Sequence, residues 1–192
     1  MKTTGPLVEG NLAIDFVNTE EIRRGIRKDY IDTADTFSVW LTDEELEGAV
    51  SKEQLPFEVE IWPEEAMGKV HELREEIRDN VEQTAECEEV GPRFVKQMES
   101  YIEKAPFAMK LHEGRVVHVP VGDPVEKLCS LVAADVLRMI GEGQLEHVRK
   151  CANPECLFMF VDRAGRRKWC SMRRCGNRAK VTRHLKRQAG GD

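Results

Sequence analysis

No stretch of this 192-residue chain approaches the roughly 18–20 consecutive apolar residues that a membrane-spanning helix needs, so no such helix is expected. The first residues, MKTTGPLVEGN, lack the apolar core of a secretory signal, and the expected location is cytoplasmic. Also missing are a phosphate-binding glycine loop, a nucleophile elbow, a dinucleotide fingerprint and paired catalytic histidines. The chain is therefore expected not to be an enzyme. His71, His112 and His118 have no metal spacing among them and read as surface or strand histidines. One further absence is local: between Arg163 and Arg187 there is no acidic residue at all.

The composition, 41% apolar and 33% charged, suits a chain that buries a core and excludes collagen-like, mucin-like and fully disordered classes. The formal net charge of −6 would by itself argue against nucleic acid as a partner. That total conceals a division. Residues 149–192 hold 13 Lys+Arg against three acids (Glu155, Asp162 and Asp192), a net of +10, so residues 1–148 carry −16. Such an asymmetry points to a basic module that meets polyanions.

The same module holds four of the six cysteines. Cys151 and Cys156 form one C-x4-C pair, and Cys170 and Cys175 form a second after 13 intervening residues. Thiols stay reduced in a cytosolic chain, so paired cysteines there signal metal more often than disulfide. A structural Zn²⁺ takes four tetrahedral thiolates from two short loops, and a full set of four leaves no open position for a catalytic water. One structural zinc ion on Cys151, Cys156, Cys170 and Cys175 is the expectation. An iron–sulfur cluster uses the same ligand set; the basic residues crowding the pairs favour zinc. Cys87 and Cys129 lie in helical patterns and read as small buried hydrophobes.

Between the pairs, Leu157–Val161, the turn Asp162-Arg163-Ala164-Gly165 and Arg166–Trp169 suggest a β-hairpin, with Phe158, Phe160 and Trp169 as a small core beside the metal. Beyond Cys175 a helix is expected. With Val181 at zero phase, Leu185 falls at about 40°, leaving one apolar edge to pack on the hairpin. Arg178, Lys180, Arg183, Lys186 and Arg187 take up the rest of the circumference, a face suited to phosphates. Arg163, Arg166, Arg167, Lys168, Arg173 and Arg174 complete the candidate nucleic-acid contacts. His184 reads as a solvated histidine rather than a ligand.

The segment CANPECLFMFVDRAGRRKWCSMRRCGNRAKVTRH resembles the CGNR zinc finger, whose signature tetrapeptide is Cys175-Gly176-Asn177-Arg178 here. The four cysteines, FVDR, WCSM and CGNRAK occur in order over roughly residues 149–187. Near the N-terminus, Leu12-Ala13-Ile14-Asp15-Phe16-Val17-Asn18-Thr19 and Phe37-Ser38-Val39-Trp40-Leu41 resemble landmarks of the ABATE domain, which precedes the finger in that family. The resemblance implies a bacterial, zinc-binding, DNA-binding transcription regulator associated with stress response.

The acidic part reads as mainly helical. Ala66, Val70, Leu73, Ile77, Val81 and Thr84 recur at three and four over residues 64–86. Thr42-Asp43-Glu44-Glu45 resembles a capping box before Leu46, and Phe94, Met98, Tyr101 and Ile102 mark another helix. Met109–Leu111 and Val116–Val119 flank a turn and suggest a hairpin. Asp123-Pro124-Val125-Glu126 opens a helix that is apolar on most faces and is expected to be the central buried one. Asp15 and Asn18 are candidates for core hydrogen bonding, helix capping or a ligand pocket. The expected architecture is α+β: a mainly helical domain with a β-hairpin over 1–148, then a treble-clef-like or ribbon-like zinc module of hairpin and helix over 149–192. DNA is the expected partner, with a homo-oligomer and a small-molecule effector of the N-terminal domain as further partners and no membrane. The competing interpretation is a protein-interaction or RNA-binding zinc module without DNA specificity.

Overall fold

The computed structural model describes residues 10–23, 25–42, 54, 63–87, 89–181 and 188. Among them the order is α1 (Leu12–Val17), β1 (Glu20–Arg23), β2 (Ile26–Asp29), α2 (Ala34–Leu41), α3 (Glu64–Cys87), α4 (Pro92–Lys104), β3 (Phe107–His112), β4 (Arg115–Pro120), α5 (Pro124–Gly141), β5 (Val148–Lys150) and β6 (Met159–Val161). The strands pair as three antiparallel hairpins, β1–β2, β3–β4 and β5–β6. The α+β class is therefore as expected, with helices dominating the N-terminal part.

All six stripe residues of α3, from Ala66 to Thr84, are buried. Helix α4 buries Phe94, Met98 and Tyr101 after Pro92 at its start, where the missing N–H costs nothing. Asp123 caps α5 by accepting the Val125 N–H at 2.9 Å. The helix then buries eight residues, from Leu128 to Met139, and is central as expected. Cys129 is among them, and burial together with the nearby Glu126 carboxylate pushes its thiol up to about 12. Cys87 ends α3, and its side chain lies outside the described residues. The β3–β4 turn is the two-residue kind, with Glu113 at φ 45° and Gly114 at φ 77°, the left-handed pair that matches strand twist.

Helix α1 is only six residues long, yet every one is buried. Phe16 packs 5.8 Å from the Trp40 ring of α2, which stacks on Phe37. The capping box expected at Thr42–Glu45 falls mostly outside the described residues; Thr42 itself closes α2.

The β1–β2 hairpin had no signature in the sequence, because charge rather than an apolar face holds it. Glu20 is 4% exposed and takes both Nε and Nη2 of Arg27 at 3.0 and 2.8 Å. Arg74 of α3, 2% exposed, grips both Asp29 oxygens at 2.7 and 2.5 Å and also donates to Thr19 Oγ1. Burial pushes the Asp29 carboxyl up, but the Arg74 hydrogen bonds, the Ile31 N–H and the Arg74 charge together hold it below its ordinary value. A lowered folded-state value means stability that is present above the unfolded carboxylate range and lost as pH falls through the folded one. Asp29→Asn should therefore be less stable than the native chain at neutral pH, and the gap should close as pH drops below about 4. Denaturant unfolding midpoints across pH check this.

Candidate metal centre

Strand β5 delivers Cys151 at its end, where the Cys151 N–H donates to Phe158 O at 3.0 Å and closes the first knuckle. Within that knuckle Asn153 makes an Asx turn: its Oδ1 accepts from Glu155 N at 3.2 Å and its carbonyl from Cys156 N at 2.9 Å. Ser171 caps a π-helical turn, Met172–Gly176, that brings in Cys175, and residues 177–181 continue as α-helix. A side chain at Gly176 would meet Met172 Sδ at 2.5 Å and Trp169 Cδ1 at 3.2 Å, so a substitution there would have to push the Met172 side chain aside.

The four sulfurs all lie within 4.8 Å of one another. Cys151, Cys170 and Cys175 are buried and Cys156 is half-buried. Tetrahedral thiolates at a Zn–S length of about 2.3 Å have edges of about 3.8 Å. The Cys156–Cys170 separation is 3.8 Å. Two N–H groups already point at sulfur, Cys170 N to Cys151 Sγ and Asn153 Nδ2 to Cys175 Sγ, both at 3.4 Å. Such donors favour thiolate over thiol. Without a cation the crowded sulfurs cannot share that charge. Hydrogen bonds from Cys156 and Cys170 pull the Cys151 thiol down, and the same contacts with Cys151 push Cys156 and Cys170 up. The set fits one structural zinc ion.

The expected hairpin partner proves different. Strand β6 pairs with β5 (Arg149 opposite Phe160), not with residues 166–169. The reason is local: Asp162 Oδ2 accepts the Arg167 N–H at 2.7 Å and the Asp162 carbonyl accepts from Gly165 at 3.2 Å, which turns the chain away from a ladder. The aromatic core is as expected, with Phe158 and Phe160 buried and Trp169 packed against them. Val181, expected to pack on this core, is instead 59% exposed and is not among the residues packed there. Leu185 and His184 lie outside the described residues.

Of the basic candidates, Arg163, Arg166, Arg167, Lys168, Arg173, Arg178 and Lys180 are exposed and Arg174 is half-buried. Two of these hold the module together. Arg167 donates to Val161 O and Cys170 O at 3.2 and 2.7 Å and lies 4.3 Å over the Phe160 ring. Arg174 lies 4.9 Å over the Phe158 ring and pairs with Glu21 of β1 at 2.7 Å. Arg183, Lys186 and Arg187 fall outside the described residues.

The residues that seat the centre on the helical part carried almost no individual signal in the sequence. Asn18, fully buried, donates Nδ2 to Met159 O and accepts the Met159 N–H on Oδ1, both at 2.9 Å, so that one amide acts like a neighbouring strand. Arg78 of α3 joins the two parts, donating to Val17 O at 2.5 Å and to Leu157 O at 3.0 Å. Lys150 pairs with Glu82 of α3 at 2.5 Å. Asp15 takes the Gly10 N–H at 2.9 Å at the start of α1, and Asn18 is the C-cap of that helix as well as the partner of Met159, so helix capping and core hydrogen bonding are the roles seen.

Two variants test these assignments. Cys156→Ser should lose stoichiometric zinc and unfold residues around the centre, because metal binding and folding of so small a module are coupled; metal analysis and circular dichroism read both. Asn18→Ala leaves two buried backbone groups of Met159 without partners, at about 1–3 kcal/mol each, and should lower unfolding stability of the zinc-loaded chain by about 2–6 kcal/mol.

Comparison with known families gives two matches. Residues 10–143 match ABATE, described as "Putative stress-induced transcription regulator". Residues 147–188 match the CGNR zinc finger. No curated protein matches the chain.

Proposed function

The chain belongs to the ABATE family and carries a C-terminal CGNR zinc finger, and on that premise we propose that it is a zinc-dependent, DNA-binding transcription regulator of the cytoplasm. It works in two parts: a basic module over 149–192 that contacts phosphates, and an acidic domain over 1–148 that supplies the regulatory input. One observation carries this reading. Six exposed basic side chains, Arg163, Arg166, Lys168, Arg173, Arg178 and Lys180, surround a metal-fixed turn in a stretch with no acid from Arg163 to Arg187. Four thiolates and one Zn²⁺ would take the module's formal +10 to +8, still strongly basic. The metal fixes the backbone that presents these cations and has no catalytic part. Both matched families are regulator and zinc-finger types, in keeping with a protein that is not an enzyme.

A second interpretation draws on the contacts between the two parts. Arg174–Glu21 and Lys150–Glu82 show basic residues of the module already serving a protein surface, that of its own acidic domain. A module that recognises proteins, or RNA, would use the same chemistry.

Zinc-loaded full-length protein should bind duplex DNA with log K falling linearly in log salt, by about 0.9 per phosphate contacted. Arg166→Gln and Arg173→Gln should each weaken binding on every sequence and lower the slope by about one. A flat salt response, or no binding at low salt, overturns the proposal. Equal competition by duplex RNA would favour the second interpretation.

A further inference from the structure

Helix α1 has the zinc module at one end and a cavity at the other. Its C-terminal end supplies Val17 O to Arg78, and Asn18 next to it holds Met159. Its first residue, Leu12, lines a cavity of about 490 Å³, a volume within the range of small-molecule sites. The six residues between span only about 9 Å. Phe107 of β3 and Leu131 and Ala134 of α5 complete an apolar wall.

The polar side of this cavity is made by Asp135 and Arg138 of α5, with His118 and Gln54 at the edge. Asp135 is already committed: Oδ2 accepts the Ala13 N–H of α1 at 2.9 Å, and Oδ1 accepts Arg138 Nε and Nη2 at 3.0 and 2.6 Å. Arg138 has capacity left. Four of its five N–H groups are engaged, the other two partners being Asn11 Oδ1 and Glu142 Oε2. The fifth N–H is on Nη1, the same nitrogen that meets Glu142. That pair is one helical turn apart, with Glu142 48% exposed, a class of ion pair worth little and easily exchanged. Among the described residues that line the cavity, Arg138 is the only Lys or Arg. A ligand here must therefore bring an acceptor for Nη1 and an apolar body for the wall.

We propose that this cavity binds a small organic carboxylate with an apolar body, its carboxylate on Arg138, and that α1 carries the occupancy to the zinc module. The coupling follows from the bonds at the two ends. A carboxylate that takes Nη1 from Glu142 leaves the Arg138–Asp135–Ala13 chain intact and fixes the start of α1. Because all six residues of α1 are buried and close-packed, what orders one end orders the other. There Asn18 holds β6, and β6 is continuous with Phe160 and the metal centre. This gives the regulatory input of the proposed function a site and a ligand class, and its biological meaning rests on that reading.

The test needs no nucleic acid, so its failure and that of DNA binding are separable. Zinc-loaded full-length protein is titrated calorimetrically with phenylacetate, 4-methylpentanoate and octanoate, and with phenylacetamide as the uncharged control. At least one carboxylate should bind with Kd of about 1 mM or tighter, and the amide about tenfold more weakly than phenylacetate. Ala134→Phe, which fills the cavity without altering Arg138, should abolish binding. Arg138→Gln should erase the preference for acid over amide. Zinc content and circular dichroism establish that each variant is folded. On saturation, hydrogen exchange of the Met159 amide should slow several-fold while that of Met98 in α4 is unchanged. Failure of all three carboxylates, equal binding of the amide, or binding that survives Ala134→Phe overturns the site. Binding without a change at Met159 overturns the coupling.

Discussion

Met159 has both its backbone N–H and its carbonyl satisfied by one side chain from the far end of the sequence, the amide of Asn18. A two-stranded ribbon such as β5–β6 has open edges and little stability by itself. The Asn18 amide supplies one of those edges with a partner, and the alternation of the strand does the rest. Met159 and Val148 point into the main core, while Phe158 and Phe160 point into the small core around the cysteines. The metal centre is thus assembled on the helical part. Its first ligand pair flanks a knuckle that the same ribbon closes.

The charges beneath this junction follow the same logic. Arg74 and Arg78 are nearly buried, which is tolerable only because each meets several acceptors: Asp29 and Thr19 for one, Val17 O, Leu157 O and the Glu20 carboxylate for the other. Breaking any partner leaves a buried charge behind, so these contacts define one relative placement of β1–β2, α3 and the ribbon. Glu21 extends the network to the module by taking Arg174 on one oxygen and the Tyr30 hydroxyl on the other.

A division of labour among the basic residues results. Arg167 and Arg174 lie over aromatic rings and bond to carbonyls or carboxylate, holding the turns that carry Cys170 and Cys175. Arg163, Arg166, Lys168, Arg173, Arg178 and Lys180 are left on the exterior of the same turns. Fixed placement of such cations beside the metal centre is the arrangement that the proposed phosphate contacts would use.

Much of this was legible in the residues themselves. The four-cysteine spacing named the ligands, because tetrahedral thiolate chemistry tolerates few patterns. The three-and-four stripe of α3, the Asp123-Pro124 start of α5 and the Glu113-Gly114 turn also stood out, because each is a local rule acting within a few residues. What the tertiary structure alone decided lies between distant residues. The pairing of β6 with β5 instead of with 166–169 turned on whether Asp162 would cap its own loop. The β1–β2 hairpin depends on guanidinium groups of α3 more than forty positions away. The seating of the zinc module depends on Asn18, 141 residues before Met159. Periodicity and spacing report interactions within a segment; a hydrogen bond that crosses the whole chain leaves one ordinary residue at each end, and only the folded geometry brings the two together.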